Sequence, residues 1–125
     1  MIKIAITEDN ILSQRALEEK LSGYEDTAIV NTAQNGLELL DILASNSEID
    51  LILMDIEMPF MNAIEATEII RQKFPQIKIV MITIYDDDDH IFNAIKAGAD
   101  SYILKETRAE KIYETIIDTL NGGSV

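Results

Sequence analysis

Apolar residues in this chain fall into short unbroken runs that alternate with segments of helical spacing. Residues 2–7, Ile-Lys-Ile-Ala-Ile-Thr, form a β-branched run that ends on the acidic pair Glu8-Asp9. Ile11, Leu12, Ala16, Leu17 and Leu21 then recur along one helix face, and Gly23 closes that helix as a C′ residue. Residues 28–33 predict a second, weaker strand. Asn35 with Glu38 reads as a cap for a helix that turns Leu37, Leu40, Leu43 and Ala44 inward. The run Leu51-Ile52-Leu53-Met54 carries no polar alternation, ends on Asp55 and is stopped by Pro59, as expected of a parallel strand covered on both faces.

The second half repeats the alternation. Asn62 with Glu65 caps a helix through Ile64, Ala66, Ile69 and Ile70 that Pro75 terminates. Residues 77–82 predict a fourth buried strand ending on Thr83. Tyr85 and the run Asp86 to Asp89 lead into a helix with Ile91, Ala94 and Ile95 inward, closed by Gly98. These aspartates read as partners of the helix dipole, and His90 as a surface residue of the first turn. Residues 100–104 predict a fifth strand that ends on Lys105. Thr107-Arg108-Ala109-Glu110 predicts a capping box for a last helix with Ile112, Ile116, Ile117 and Leu120 on one face, broken by Gly122-Gly123. Strands and helices in strict alternation predict a doubly wound α/β sheet with right-handed crossovers, whose site lies at the carboxyl ends of the strands.

Length and composition narrow the functional classes. A chain of 125 residues, 47% hydrophobic, suits one packed domain. With no cysteine it has neither a disulfide framework nor a thiolate metal site, which suits a reducing cytoplasm. No leader peptide is visible, and no apolar stretch approaches the ~20 residues that span a bilayer. A net charge of −13 opposes binding of nucleic acid or anionic membrane by this domain.

The strand tips hold the candidate chemistry. Glu8 and Asp9, Asp55, Thr83 and Lys105 would gather three carboxylates, a hydroxyl and an ammonium at one sheet edge. Carboxylates so placed repel one another, and an all-oxygen donor set without His or Cys favours a hard cation such as Mg²⁺. A carboxylate beside Mg²⁺, a lysine and a threonine hydroxyl suits nucleophilic attack on phosphorus. Neither G-x-x-x-x-G-K-[ST] nor G-x-G-x-x-G occurs, which disfavours nucleotide-dependent transfer.

On these residues the chain resembles a response-regulator receiver domain over essentially its whole length. The resemblance implies a flavodoxin-like five-stranded parallel sheet in the order 2-1-3-4-5 with five helices. It implies that Asp55, within Met-Asp-Ile-Glu-Met-Pro, is the phosphoacceptor. Glu8-Asp9 matches the acidic metal pair, and the backbone carbonyl of Glu57 a third protein ligand for Mg²⁺. Thr83 matches the switch hydroxyl, Tyr102 the switch aromatic and Lys105 the phosphate-contacting lysine, while Lys96-Ala97-Gly98-Ala99-Asp100 matches the approach to the fifth strand. The implied partner is a sensor histidine kinase. The implied output is a face made by the fourth helix, fifth strand and fifth helix, which pairs with a partner or a second copy.

Departures from the family pattern are Asn62-Ala63 after the Met-Pro turn, Ile84-Tyr85 after Thr83, and Glu106 after Lys105 where several branches carry proline. Glu106 and the closing Asn-Gly-Gly resemble receivers of the NarL/FixJ type, which usually precede a helix-turn-helix domain. Two other readings stay open at this level. One is a phosphatase of the haloacid-dehalogenase type, although Asp55-Ile56-Glu57 has Glu in place of the second Asp of its D-x-D motif. The other is a binding module that keeps the fold without a phosphorylation cycle.

Overall fold

The computed structural model describes residues 1–46, 48–56, 61–84 and 87–122. Strands β1 (Ile2–Thr7), β2 (Thr27–Ala33), β3 (Leu51–Asp55), β4 (Lys78–Thr83) and β5 (Ser101–Leu104) alternate with helices α1 (Ile11–Leu21), α2 (Gly36–Ser45), α3 (Ala63–Lys73), α4 (Asp88–Ala97) and α5 (Ala109–Leu120). All four strand pairings are parallel, and the order across the sheet is β2-β1-β3-β4-β5. This is the expected flavodoxin-like arrangement. Of the elements and caps read from the sequence, Glu57, Met58, Pro59, Tyr85, Asp86 and Gly123 lie outside the described residues.

Strand alternation divides the core in two. Leu51 and Leu53 of β3 join Ile4 and Ile6 of β1, Val80 and Ile82 of β4 and Ile103 of β5 on one face. Leu17 and Leu21 of α1 and Ile112 and Ile116 of α5 cover that face. Ile52 and Met54 join Ala5, Ile79 and Met81 on the other, beneath Leu39 and Leu43 of α2, Ala66 and Ile70 of α3 and Ala94 of α4. Every residue of β3 is buried, because both faces are roofed.

Capping explains most helix starts. Asn10 accepts from the amides of Leu12 and Ser13, Asn35 from Glu38, Asn62 from Glu65 and Asp87 from His90. Asn62 Nδ2 also donates to Glu65 Oε1 at 2.8 Å. At α5 the expected capping box is absent. Arg108 holds the N-cap position and makes no side-chain cap bond. Thr107 is drawn into the preceding turn instead, its amide donating to Leu104 O and its carbonyl accepting from Lys20 Nζ.

Packing also corrects several predicted faces. In α2 the inward positions are Gly36, Leu39 and Leu43, whereas Leu37 and Ala44 are exposed. A Cβ on Gly36 would stand 2.8 Å from Met61 O, so the helix presses its glycine edge inward and rolls Leu37 out. Ile11 and Leu12 are exposed as well, since the first turn of α1 flanks the strand tips and only Leu17 and Leu21 lie over the sheet. In α5 Thr119 takes a buried position, bonded to Ser101 Oγ at 2.6 Å, while Ile117 is half-buried. Gly23 follows the C-cap Ser22 but is not left-handed. Ser22 closes α1 itself, donating its amide and hydroxyl to Glu19 O. Gly98 is left-handed, with φ 118°, as the end of α4 requires.

Candidate functional site

The register brings the predicted residues to one edge. Thr7 pairs with Met54, Asp55 with Ile82 and Thr83 with Leu104, so residues 8, 55, 83 and 105 all stand at the carboxyl end of the sheet. Alternation then sorts them. Glu8 continues the series Ile4, Ile6; Asp55 continues Leu51, Leu53; Lys105 continues Ile103. All three fall on the side roofed by α1 and α5. Thr83 follows Ile79 and Met81 on the opposite side, where Tyr102 packs. Tyr102 is paired with Met81, so Tyr102 and Thr83 are diagonal neighbours on one face of β4 and β5.

Glu8, Asp9 and Asp55 present carboxylate oxygens within 4.8 Å of one another, a grouping found among the described residues. Glu8 is 1% exposed and Asp55 7%, while Asp9 is open to solvent. Lys105 Nζ lies 2.6 Å from Glu8 Oε1 and 3.6 Å from Asp55 Oδ2. Glu8 Oε2 accepts the Asn10 amide at 3.1 Å, and the Glu8 amide donates to Ala33 O. Thus Asn10 both caps α1 and helps fix Glu8.

Electrostatics follow from this geometry. Burial pushes the Glu8 carboxyl up, but hydrogen bonds from Lys105 and the Asn10 amide, with Asp55 beside it, hold it below the usual value. Burial and the neighbouring Glu8 push Asp9 up. Burial disfavours the charged Lys105, yet Glu8 and Asp55 outweigh it and raise its pKa. Among the described residues, one ammonium offsets one of three carboxylates, leaving the tip negative. Oxygen donors in that state suit a hard divalent cation.

Thr83 is 1% exposed and, with Ile84, Leu104, Lys105 and Glu106, lines an open cavity of about 180 Å³, so Lys105 is common to this cavity and to the carboxylate cluster. The ammonium of Lys105 thus stands against the carboxylates, and its residue also borders the cavity lined by Thr83. The predicted Glu57 carbonyl lies outside the described residues. One neighbour escaped sequence reasoning. Lys20 Nζ donates to the carbonyls of Lys105 and Thr107 at 3.1 and 2.9 Å, across 85 and 87 positions of chain. Its place in the last turn of α1 reads in the sequence only as a complement to the helix dipole.

Similarity to known proteins agrees with the fold. The chain is 36% identical over 125 residues to the transcriptional regulatory protein LnrK of Bacillus subtilis, covering 100% of this chain and 56% of that protein. It is 37% identical over 124 residues to the response regulator protein VraR of Staphylococcus saprophyticus, covering 99% and 59%. The chain thus spans somewhat more than half the length of these relatives. Among solved structures, a DNA-binding response regulator of the LuxR family from Staphylococcus aureus superposes with a TM-score of 0.88 at 27% identity, covering 97% of this chain and 100% of that one. The receiver domain of the NarL response regulator from Mycobacterium tuberculosis shares the fold, with a TM-score of 0.90 at 21% identity and 97% of each chain covered. The family profile described as "Response regulator receiver domain" matches residues 4–117. That span runs from within β1 to within α5 and takes in every strand that supplies the site, so the chain belongs to the response regulator receiver domain family.

Proposed function

We propose that the chain is a phosphorylation-controlled switch of two-component signalling, with Asp55 as phosphoacceptor and a partner sensor histidine kinase as donor. The observation that supports this most is the convergence of Asp55 with Glu8, Asp9 and Lys105 at the tips of β1, β3 and β5. An Asp55 carboxylate oxygen forms the new bond to phosphorus as the bond from phosphorus to the partner's histidine nitrogen breaks. The imidazole leaves with the electron pair. Lys105 and the Thr83 hydroxyl each meet an oxygen of the transferring group, which is how positioned charge catalyses such transfers.

Asp9, Asp55 and the Glu57 carbonyl would hold Mg²⁺, with Glu8 assisting from its buried position. Bound there, the cation neutralises charge on the phosphoryl oxygens. The oxygen-only donor set fits this ion. Thr83 then moves toward the phosphoryl group and Tyr102 turns inward, shifting a two-state equilibrium of the α4, β5 and α5 face. Ile84 and Phe92, 71% and 64% exposed, offer apolar contacts on that side for a partner or a second copy. The output is transcription through a separate helix-turn-helix domain. A relative named as a transcriptional regulatory protein and a structural neighbour named as a DNA-binding response regulator support this reading, as does the greater length of the former. We place the protein in the cytoplasm; no helix among the described residues is long and apolar enough to cross a membrane.

Incubation with Mg²⁺ and a small acyl-phosphate donor, followed by intact mass measurement, tests the proposal. One phosphoryl adduct that requires Mg²⁺ and is absent from Asp55→Asn is the expected result. An unmodified wild-type chain would leave a receiver fold used only for binding, and steady turnover of small phosphate esters would favour a phosphatase.

A further inference from the structure

We propose that Lys20 is a positioning residue for phosphoryl transfer, acting through the backbone that carries Lys105. The inference rests on the reading of Asp55 as phosphoacceptor. Lys20 stands in the last turn of α1, half-buried, and its ammonium donates to Lys105 O at 3.1 Å and Thr107 O at 2.9 Å. Among the described residues it pairs with no carboxylate. Its charge is therefore directed at main-chain carbonyls, where a charge-assisted hydrogen bond holds more firmly than a neutral one.

The held turn has few other anchors. The Lys105 amide donates to Thr83 O and the Thr107 amide to Leu104 O, but the Arg108 cap is empty and Glu106 imposes no fixed backbone torsion. Lys20, Glu8 and Lys105 also line one cavity of about 60 Å³ with Ser13, Ala16 and Leu17. The Lys105 stem thus leaves a backbone pinned by Lys20 and ends between Glu8 and Asp55. Releasing the pin lets the turn drift while the rest of the sheet edge stays in place. Displacement of a reacting group by about 1 Å costs up to ~100-fold in rate, so a partial release should cost about tenfold.

The test compares wild type, Lys20→Met, Lys105→Met and the double variant, using the full chain, Mg²⁺ and acetyl phosphate, with phosphorylation rates read by intact mass across donor concentrations. Lys20→Met keeps the apolar stem, and a melting curve confirms that it folds. The expected result is a roughly tenfold lower rate at saturating donor with the half-saturating concentration unchanged. In the Lys105→Met background the second substitution should change the rate by less than about twofold, because both act through one group. A wild-type rate in Lys20→Met overturns the inference. So does a loss that multiplies onto that of Lys105→Met, and so does a shift in half-saturation alone, which would indicate attraction of the anionic donor. If the wild-type chain takes no phosphoryl group, the reading of Asp55 fails. The Lys105 ammonium resonance of ¹⁵N-labelled protein then decides the positioning alone: shifted and broadened in Lys20→Met supports it, unchanged overturns it.

Discussion

Glu8 is a nearly fully buried carboxylate whose tolerance depends on Lys105 and the Asn10 amide. Removing the ammonium by Lys105→Met strands that charge and should cost about 2 kcal/mol in a magnesium-free urea melt. The same variant should bind Mg²⁺ more tightly, since the carboxylates lose their internal cation; calorimetric titration reads this. The pH dependence has a definite sign. A carboxyl held below its ordinary value of 4.5 contributes stability that is present above that value and lost as pH falls through the folded value, so Glu8→Gln should flatten the acid limb of the stability profile. At this scale the sequence was largely readable. Glu8, Asp9, Asp55, Thr83 and Lys105 each end an apolar run, and a strand that stops on a polar residue announces its tip. Lys20 was not readable, because its meaning lies in carbonyls some eighty-five positions away.

Element boundaries were legible where a side chain caps its own helix. Asn10, Asn35 and Asn62 do so within three residues, a distance that sequence displays. The start of α5 failed because a tertiary contact, Lys20 with Thr107 O, overrides the local signature. Arg108→Ser should therefore raise stability by about 1 kcal/mol by supplying the missing cap, as read by urea denaturation. Gly98 and Gly23 separate in the same experiment. At Gly98 a Cβ would sit 2.5 Å from Arg71 Cγ in a left-handed backbone, so Gly98→Ala should cost at least about 1–2 kcal/mol. It would also disturb Arg71, which donates to Gly98 O and Pro75 O and pairs with Asp100, tying α3 to the approach of β5. Gly23 has open space and no left-handed torsion, and Gly23→Ala should be neutral or stabilising by up to about 1 kcal/mol.

Across the whole molecule, the pattern of unbroken apolar strands between amphipathic helices carried the layer architecture, because both core faces draw on alternate residues of the same runs. Strand order was not in the pattern and came with the family resemblance; nothing along the chain says which strands become neighbours. The roll of α2 was equally hidden, since it depends on Gly36 meeting Met61 across space. A domain of net charge −13 with three carboxylates at one tip should be stabilised by Mg²⁺ through mass action, with a rise in melting temperature that shrinks in Asp9→Asn. The central claim, that Asp55 accepts the phosphoryl group, is tested most directly by locating the modification. The chain treated with acetyl phosphate and Mg²⁺ is reduced with borohydride, which converts an aspartyl phosphate to homoserine, and its peptides are sequenced by mass spectrometry. Homoserine at position 55, absent without Mg²⁺, is the predicted result; reduction at another carboxylate, or at none, would contradict the account.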